Sequence, residues 1–163
     1  MNSEWIYRGK IVNLKLDSYD SKKIEVVHTS GAVVIVAINQ DEKILFVRQW
    51  RPSIGKITLE LPAGMLEKNE LPIHCAKREL QEETGYETQS ITPLGGFYST
   101  PGFCDEYIHL FLAKDLSFAP IKEIEDETID FIFLSMQEVL ELIGQGKIED
   151  AKSIAGIMWL KCL

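Results

Sequence analysis

Three glutamates, Glu79, Glu82 and Glu83, stand three and four residues apart, a spacing that stacks their carboxylates on one face of a helix. Local physics opposes such crowding. Each like-charge pair costs about 0.2–0.5 kcal/mol, and a carboxylate in the last turn meets the negative end of the helix dipole at a further ~0.3–1 kcal/mol. A divalent cation reverses the sign of all these interactions. Mg²⁺ in particular takes oxygen ligands while keeping water and substrate phosphates in its shell. For an arbitrary Glu-rich helix the ordinary alternative is a solvated acidic face, and spacing alone leaves both readings open.

The element that must carry these carboxylates is well punctuated. Pro72 suits a first helical position and Gly85 the residue just past the last turn, so a helix is expected over 72–84, burying Ile73, Ala76, Leu80 and Thr84. Upstream, Trp5–Leu16 and Ile24–His28 alternate apolar and polar residues around a turn at Asp17–Lys22, which reads as an antiparallel ribbon. Gly31–Asn39 and Lys43–Trp50 read as a hairpin around Gln40-Asp41-Glu42, and Ile57–Leu61 as a short strand that turns at Pro62-Ala63-Gly64. Further strands are expected near Thr88–Tyr98, Glu106–Ala113 and Thr128–Leu134. Ser135 and Glu138 form a capping box that opens a helix to Gly144 or Gly146, and Asp150–Cys162 reads as a terminal helix with Ile154, Ile157, Met158 and Leu160 available for burial. The class is α+β with a mixed sheet, in one domain over 1–163: a ribbon over 1–28 and a core over 31–163.

Bulk properties narrow the partners. A net charge of −8 without a basic run disfavours nucleic acid and anionic membrane, and an anionic substrate would need a cation to reconcile it with this chain. No stretch reaches spanning length, and Met1–Lys10 lacks a signal-peptide core. Cys75, Cys104 and Cys162 have neither disulfide-framework nor zinc spacing. A soluble cytoplasmic protein with reduced thiols is expected.

Gly64, Glu70 and the run Arg78-Glu79-Leu80-Gln81-Glu82-Glu83-Thr84-Gly85-Tyr86 match the Nudix box, G-x5-E-x7-R-E-U-x-E-E-x-G-U with U a bulky apolar residue, at every specified position. The sequence therefore resembles the Nudix hydrolases. The resemblance implies an α/β/α sandwich around a mixed sheet, and water attack on the diphosphate of a nucleoside diphosphate linked to another group. It also implies roles. Glu79 and Glu83 are metal ligands, Glu82 joins them or holds a metal-bound water, and the Ala63 carbonyl completes the site for Mg²⁺, with Mn²⁺ the alternative. Gly64 allows the sharp turn, Arg78 pairs with Glu70 rather than with Glu82, and Gly85 ends the helix.

Residues outside the box resemble the ADP-ribose pyrophosphatase branch. They are Val47-Arg-Gln-Trp-Arg-Pro52, Glu60-Leu-Pro-Ala-Gly64, the segment Tyr98–Glu106 with Pro101, and Glu123–Asp130. By that resemblance Arg51 grips substrate phosphates, Glu60, Pro101 and Glu106 line the substrate site, and Trp5 or Tyr7 stacks on adenine. Glu127, or next Glu125, is the general base on a loop. Each has a plainer reading: a surface ion pair for Arg51, core or interface for the aromatics, a turn at Pro101-Gly102, and solvated charges for the loop glutamates. Trp50 and Trp159 read as packing residues and Phe103 as a lid residue. The branch further implies a homodimer built through the ribbon and a small nucleotide-sugar substrate. A GDP-mannose hydrolase and a noncatalytic ADP-ribose-binding module are the competing functions.

Overall fold

The computed structural model describes residues 2–121 and 130–163. Ten strands and three helices follow in order among them: β1 (Asn2–Arg8), β2 (Asn13–Tyr19), β3 (Lys22–His28), β4 (Ala32–Ala37), β5 (Ile44–Arg51), β6 (Lys56–Glu60), β7 (Ala63–Met65), α1 (Pro72–Thr84), β8 (Tyr86–Tyr98), β9 (Tyr107–Phe118), β10 (Asp130–Leu134), α2 (Met136–Gly144) and α3 (Ala151–Lys161).

The N-terminal ribbon has three strands rather than two, in the order β1-β2-β3. The alternating run Trp5–Leu16 is broken at Gly9, whose N–H donates to the Val12 carbonyl at 3.1 Å. The apolar alternation shifts by one residue across that turn, from Trp5 and Tyr7 to Val12, Leu14 and Leu16, a phase change that marks the reversal. The second reversal comes at Asp20, which takes a left-handed φ of 52°.

The expected β4–β5 hairpin is the larger correction. The turn itself exists: Asn39 accepts the N–H groups of Asp41 and Lys43 on its side-chain oxygen, and Glu42 sits at φ 57°. Beyond one bridge at Ile38–Ile44, however, the two strands part company. β4 lies between β7 and a parallel β9 in the mixed sheet β7-β4-β9-β8, while β5 lies between β10 and β6 in a second sheet. Both strands read as nearly continuous apolar runs because each is central and covered on two faces.

Those faces define the layers. Along β4, Val34, Val36 and Ile38 enter one core with Phe46, Leu61, Leu110, Val139 and Ile157, whereas Val33, Ile35 and Ala37 enter another with Cys75, Ala76 and Leu80 of α1. Sheet is thus sandwiched between α1 on one side and α2 with α3 on the other, the α/β/α arrangement. The expected stripe on α1 is buried at Ala76, Leu80 and Thr84, with Cys75 added and Ile73 only partly covered. The capping box at Ser135 and Glu138 forms with both of its hydrogen bonds. On α3, Met158 faces outward at 48% exposure, and Ser153 and Gly156 are buried with Ile157 instead. Trp159 lies against Gly95, whose missing side chain makes room for its ring. Trp50 does not pack: it is 57% exposed.

Candidate active site

The helix that carries the carboxylates is bounded by local chemistry. Pro72 opens α1 behind Leu71, and Gly85 closes it at φ 72°, its N–H bonding the Gln81 carbonyl at 2.8 Å. No basic residue occupies the last turn, so nothing on the helix end itself offsets the dipole at Glu82 and Glu83.

Arg78 organises the acidic face. Its Nε and Nη2 donate to the two oxygens of Glu70, both at 2.9 Å, the paired geometry that a guanidinium fork favours. Its Nη1 donates to Glu79 at 2.7 Å and to Glu82 at 2.9 Å. The expectation that Arg78 serves Glu70 rather than Glu82 is therefore corrected, because one fork reaches both. The hydrogen bonds from Arg78 hold the Glu70 carboxyl down to about 2. Arg78 in turn is pushed up, first by Glu70 and then by Glu79.

Glu79 and Glu83 lie deeper. A Cβ added to Gly64 would overlap the Glu79 carboxylate, so only glycine lets that group lie against the β7 backbone. Glu83 accepts the Ala63 N–H at 3.0 Å. Burial pushes the Glu83 carboxyl up to about 7, with Glu79 adding to the rise and Lys152 and Arg51 opposing it. Burial also raises Glu79. Three carboxylates, Glu70, Glu79 and Glu82, thus share one guanidinium, a formal deficit of two positive charges, and Glu83 adds a fourth carboxyl beside Glu79.

Among the described residues, no three acidic, histidine or cysteine side chains already converge as a ligand set, since Arg78 holds Glu79 and Glu82. The donor set nonetheless suits a hard divalent cation. It is all oxygen, it is short of positive charge, two of its carboxylates already share one cationic nitrogen, and glycine lets the Glu79 carboxylate lie against the β7 backbone.

A second charged cluster adjoins the first. Arg51 donates from Nε and Nη2 to Glu60 at 2.7 and 2.6 Å, and the Thr58 hydroxyl donates to the same carboxylate at 2.5 Å. Lys152 of α3 also bonds Glu60, and pairs with Asp150 at 3.0 Å. Burial works to raise Glu60, whose side chain is 3% exposed, but Arg51, Lys152 and Thr58 outweigh it and hold the carboxyl down to about 2. The strand and helix that supply these groups are fastened together, because the Leu61 N–H donates to the buried Ser153 hydroxyl at 2.8 Å and Asp150 caps α3 through the Ser153 N–H. Arg51 and Glu60 line an open cleft of about 550 Å³ with Thr58, Lys56, Glu149 and Asp150. Sequence reading names Arg51 and Glu60 but misses Thr58 and Lys152. The available signal is a lysine in the first turn of a helix, where the dipole disfavours it.

The remaining expected residues lie at the ribbon. Trp5 meets His28 edge-on, with the Arg8 guanidinium 4.9 Å over its ring, and Tyr7 is exposed. Pro101 lines a separate cleft of about 330 Å³ with Ile24, Val26, Tyr98 and Phe103. Its loop is bound to β3 by Val27 N–H to Phe103 O at 2.8 Å and by His28 to Asp105 at 2.7 Å. Glu106 closes that loop, accepting the Ser99 N–H on its carbonyl at 3.2 Å. Phe103 is exposed. Glu125 and Glu127 lie outside the described residues. No helix among the described residues is long and apolar enough to cross a membrane.

Comparison with known proteins gives a consistent picture. The family model described as the NUDIX domain matches residues 28–156. The ADP-ribose pyrophosphatase of Bacillus subtilis (strain 168) is 36% identical over 165 residues, covering 97% of this chain and 89% of its own. The methanol dehydrogenase activator of Bacillus methanolicus is 40% identical over 171 residues, covering 99% and 91%. A GDP-mannose pyrophosphatase of Cronobacter sakazakii (strain ATCC BAA-894) is 30% identical over 155 residues, covering 90% and 77%. Among solved structures, an ADP compounds hydrolase superposes with a TM-score of 0.82 over 99% of this chain and 90% of that one, at 18% identity, a likeness of fold.

Proposed function

From the premise that the chain belongs to the Nudix family and is a hydrolase, we propose that it cleaves the diphosphate of ADP-ribose, giving AMP and ribose 5-phosphate. The observation that carries the reaction class is the oxygen cluster around Arg78, three carboxylates on one guanidinium with the Glu83 carboxyl beside them. The substrate choice rests on the Bacillus subtilis relative and on the flanking segments. The relative named for GDP-mannose supports a second reading, since a box of this kind serves both substrates.

Glu79, Glu82, Glu83 and the Ala63 carbonyl would hold Mg²⁺, or Mn²⁺ in its place. Bound there, the cation would neutralise the diphosphate and make a water more acidic. The chain's own groups do the rest. Arg78 keeps Glu70 on the loop and Glu79 on the helix in one frame. Arg51, held by Glu60, presents a guanidinium face to the phosphates in the 550 Å³ cleft. Glu127, with Glu125 as the alternative, takes the proton of the attacking water. Pro101 and Glu106 shape the sugar side, and Trp5 or Tyr7 stacks on adenine across a homodimer formed by the ribbon. The three free cysteines suit the reducing cytoplasm.

Assays with Mg²⁺ across ADP-ribose, GDP-mannose, NADH, dinucleoside polyphosphates and nucleoside triphosphates test the reading. A preference for ADP-ribose is expected, and a clear preference for another compound overturns the substrate. Glu127→Gln is expected to lower kcat with little change in KM; an unchanged kcat moves the base elsewhere. Light scattering tests the dimer, which a fully active monomer would refute.

A further inference from the structure

We propose that Lys152 is a positioning residue for the phosphate grip of Arg51, acting through the Glu60 carboxylate they share; the proposal rests on the reading of the site given above. Lys152 stands in the first turn of α3, one residue past Ala151, where the positive end of the helix dipole repels a cation. It is also only 15% exposed. A lysine that is both largely covered and placed against the dipole needs strong partners, and it has two, Glu60 and Asp150. Lys152 is not itself among the residues lining the cleft, whereas Arg51, Glu60, Asp150 and Ala151 are. Its effect on a bound anion must therefore pass through those neighbours.

Charge counting shows what that effect is. With Lys152 in place, two cations, Arg51 and Lys152, balance two carboxylates, Glu60 and Asp150. Glu60 can then clasp Arg51 with two hydrogen bonds while its charge is shared with a second cation. Without Lys152 the cluster carries one net negative charge, and Arg51 becomes the only cation facing both carboxylates. The guanidinium would keep its orientation and lose its pull on phosphate. Lys152 thus separates two demands on Arg51, rigid aim and free positive charge, that a lone Arg–Glu pair cannot both meet.

Three variants test this: Lys152→Met, Lys152→Arg, and Lys152→Met combined with Glu60→Gln. Two readouts are used, kinetics on ADP-ribose with Mg²⁺ and calorimetric binding of AMP in EDTA. Lys152→Met should raise KM and the AMP dissociation constant roughly tenfold, the scale of one charge-assisted interaction, with kcat within about twofold. Lys152→Arg should restore most of the loss. The double variant, which removes the orphaned carboxylate charge and keeps one acceptor oxygen for Arg51, should recover part of the AMP affinity that Lys152→Met loses; it also carries the test if Lys152→Met alone fails to fold. Wild-type AMP affinity in Lys152→Met, or a double variant as weak as the single one, overturns the proposal. So does a fall in kcat and melting temperature with KM unchanged, which would mark a merely structural lysine. A wild-type protein that does not bind AMP overturns it too. If ADP-ribose is not hydrolysed but AMP binding still falls in Lys152→Met, the substrate reading fails and the positioning role stands.

Discussion

The two charged clusters meet across a few strand residues and solve opposite problems. Around Arg78 one guanidinium serves three carboxylates, with Glu83 beside them; around Glu60 two cations and two carboxylates balance. In the first, burial pushes Glu83 up to about 7, so ionisation is resisted. In the second, burial also works to raise the carboxyl, yet Glu60 is held down to about 2. Burial alone does not decide a carboxylate's state; the number of cationic donors within reach does. The starved cluster has the all-oxygen, anionic character that suits a divalent cation, and the balanced one holds two strands and a helix in register beside it.

The contrast can be broken most sharply at Glu83. Glu83→Gln should lower kcat roughly 10³-fold, the scale seen when a group stabilising transition-state charge is removed, while circular dichroism stays unchanged. Activity near wild type would place the metal elsewhere. Next in size is Glu60→Gln, which leaves Arg51 and Lys152 facing a neutral amide and should cost on the order of 3 kcal/mol in urea unfolding. The two substitutions are expected to differ, Glu83→Gln losing turnover with the fold intact and Glu60→Gln losing stability along with the clasp on Arg51. If Glu60→Gln were as stable as wild type, the balanced cluster would not be structural.

Arg78→Lys keeps the charge but loses the fork that spans Glu70, Glu79 and Glu82, so kcat/KM should fall roughly 10- to 100-fold. A variant as active as wild type would show that the fork does not frame the ligands. Acid titration follows. The folded value of Glu60 lies below its ordinary 4.5, so its contribution is complete above 4.5 and fades as pH falls through about 2. Acid unfolding of wild type should thus be steeper over that window than that of Glu60→Gln, and parallel curves would count against the network.

The smallest effect has the opposite sign. Glu83 has a folded value raised above 4.5, so in EDTA it costs stability increasingly as pH rises from 4.5 to about 7. Glu83→Gln should melt a few degrees higher than wild type at pH 8 without metal, and equally at pH 4. A lower melting temperature at pH 8 would mean that Glu83 is not strained.

What could be read from sequence follows the range of the interactions. The bounds of α1 agree with the punctuation by Pro72 and Gly85 because capping is settled within a few residues. The capping box at Ser135 is equally local. The β4–β5 pairing fails because strand partners are chosen globally: β4 takes β9, some seventy residues on, and β5 takes β10. The ribbon's third strand is missed when Trp5–Leu16 is read as one run, although the phase of its alternation changes just past Gly9. In the site, the box residues are legible from spacing on one helix, while Arg78 reaching Glu82 as well as Glu70 is a matter of side-chain geometry. Lys152 shows in the sequence only as a lysine in a helix's first turn, because its partner Glu60 lies 92 residues away.

That separation also bears on the order in which the protein can become competent. A growing chain that has reached Gly146 contains the whole acidic helix and every strand of the sheets. It still lacks the Ser153 hydroxyl that anchors the Leu61 amide and the lysine that completes the Glu60 cluster. Contacts of such long sequence separation close late and slow the final step of folding. The mouth of the site is therefore assembled when α3 docks, and a clip in the loop before Asp150 would silence the enzyme while leaving its signature motif intact.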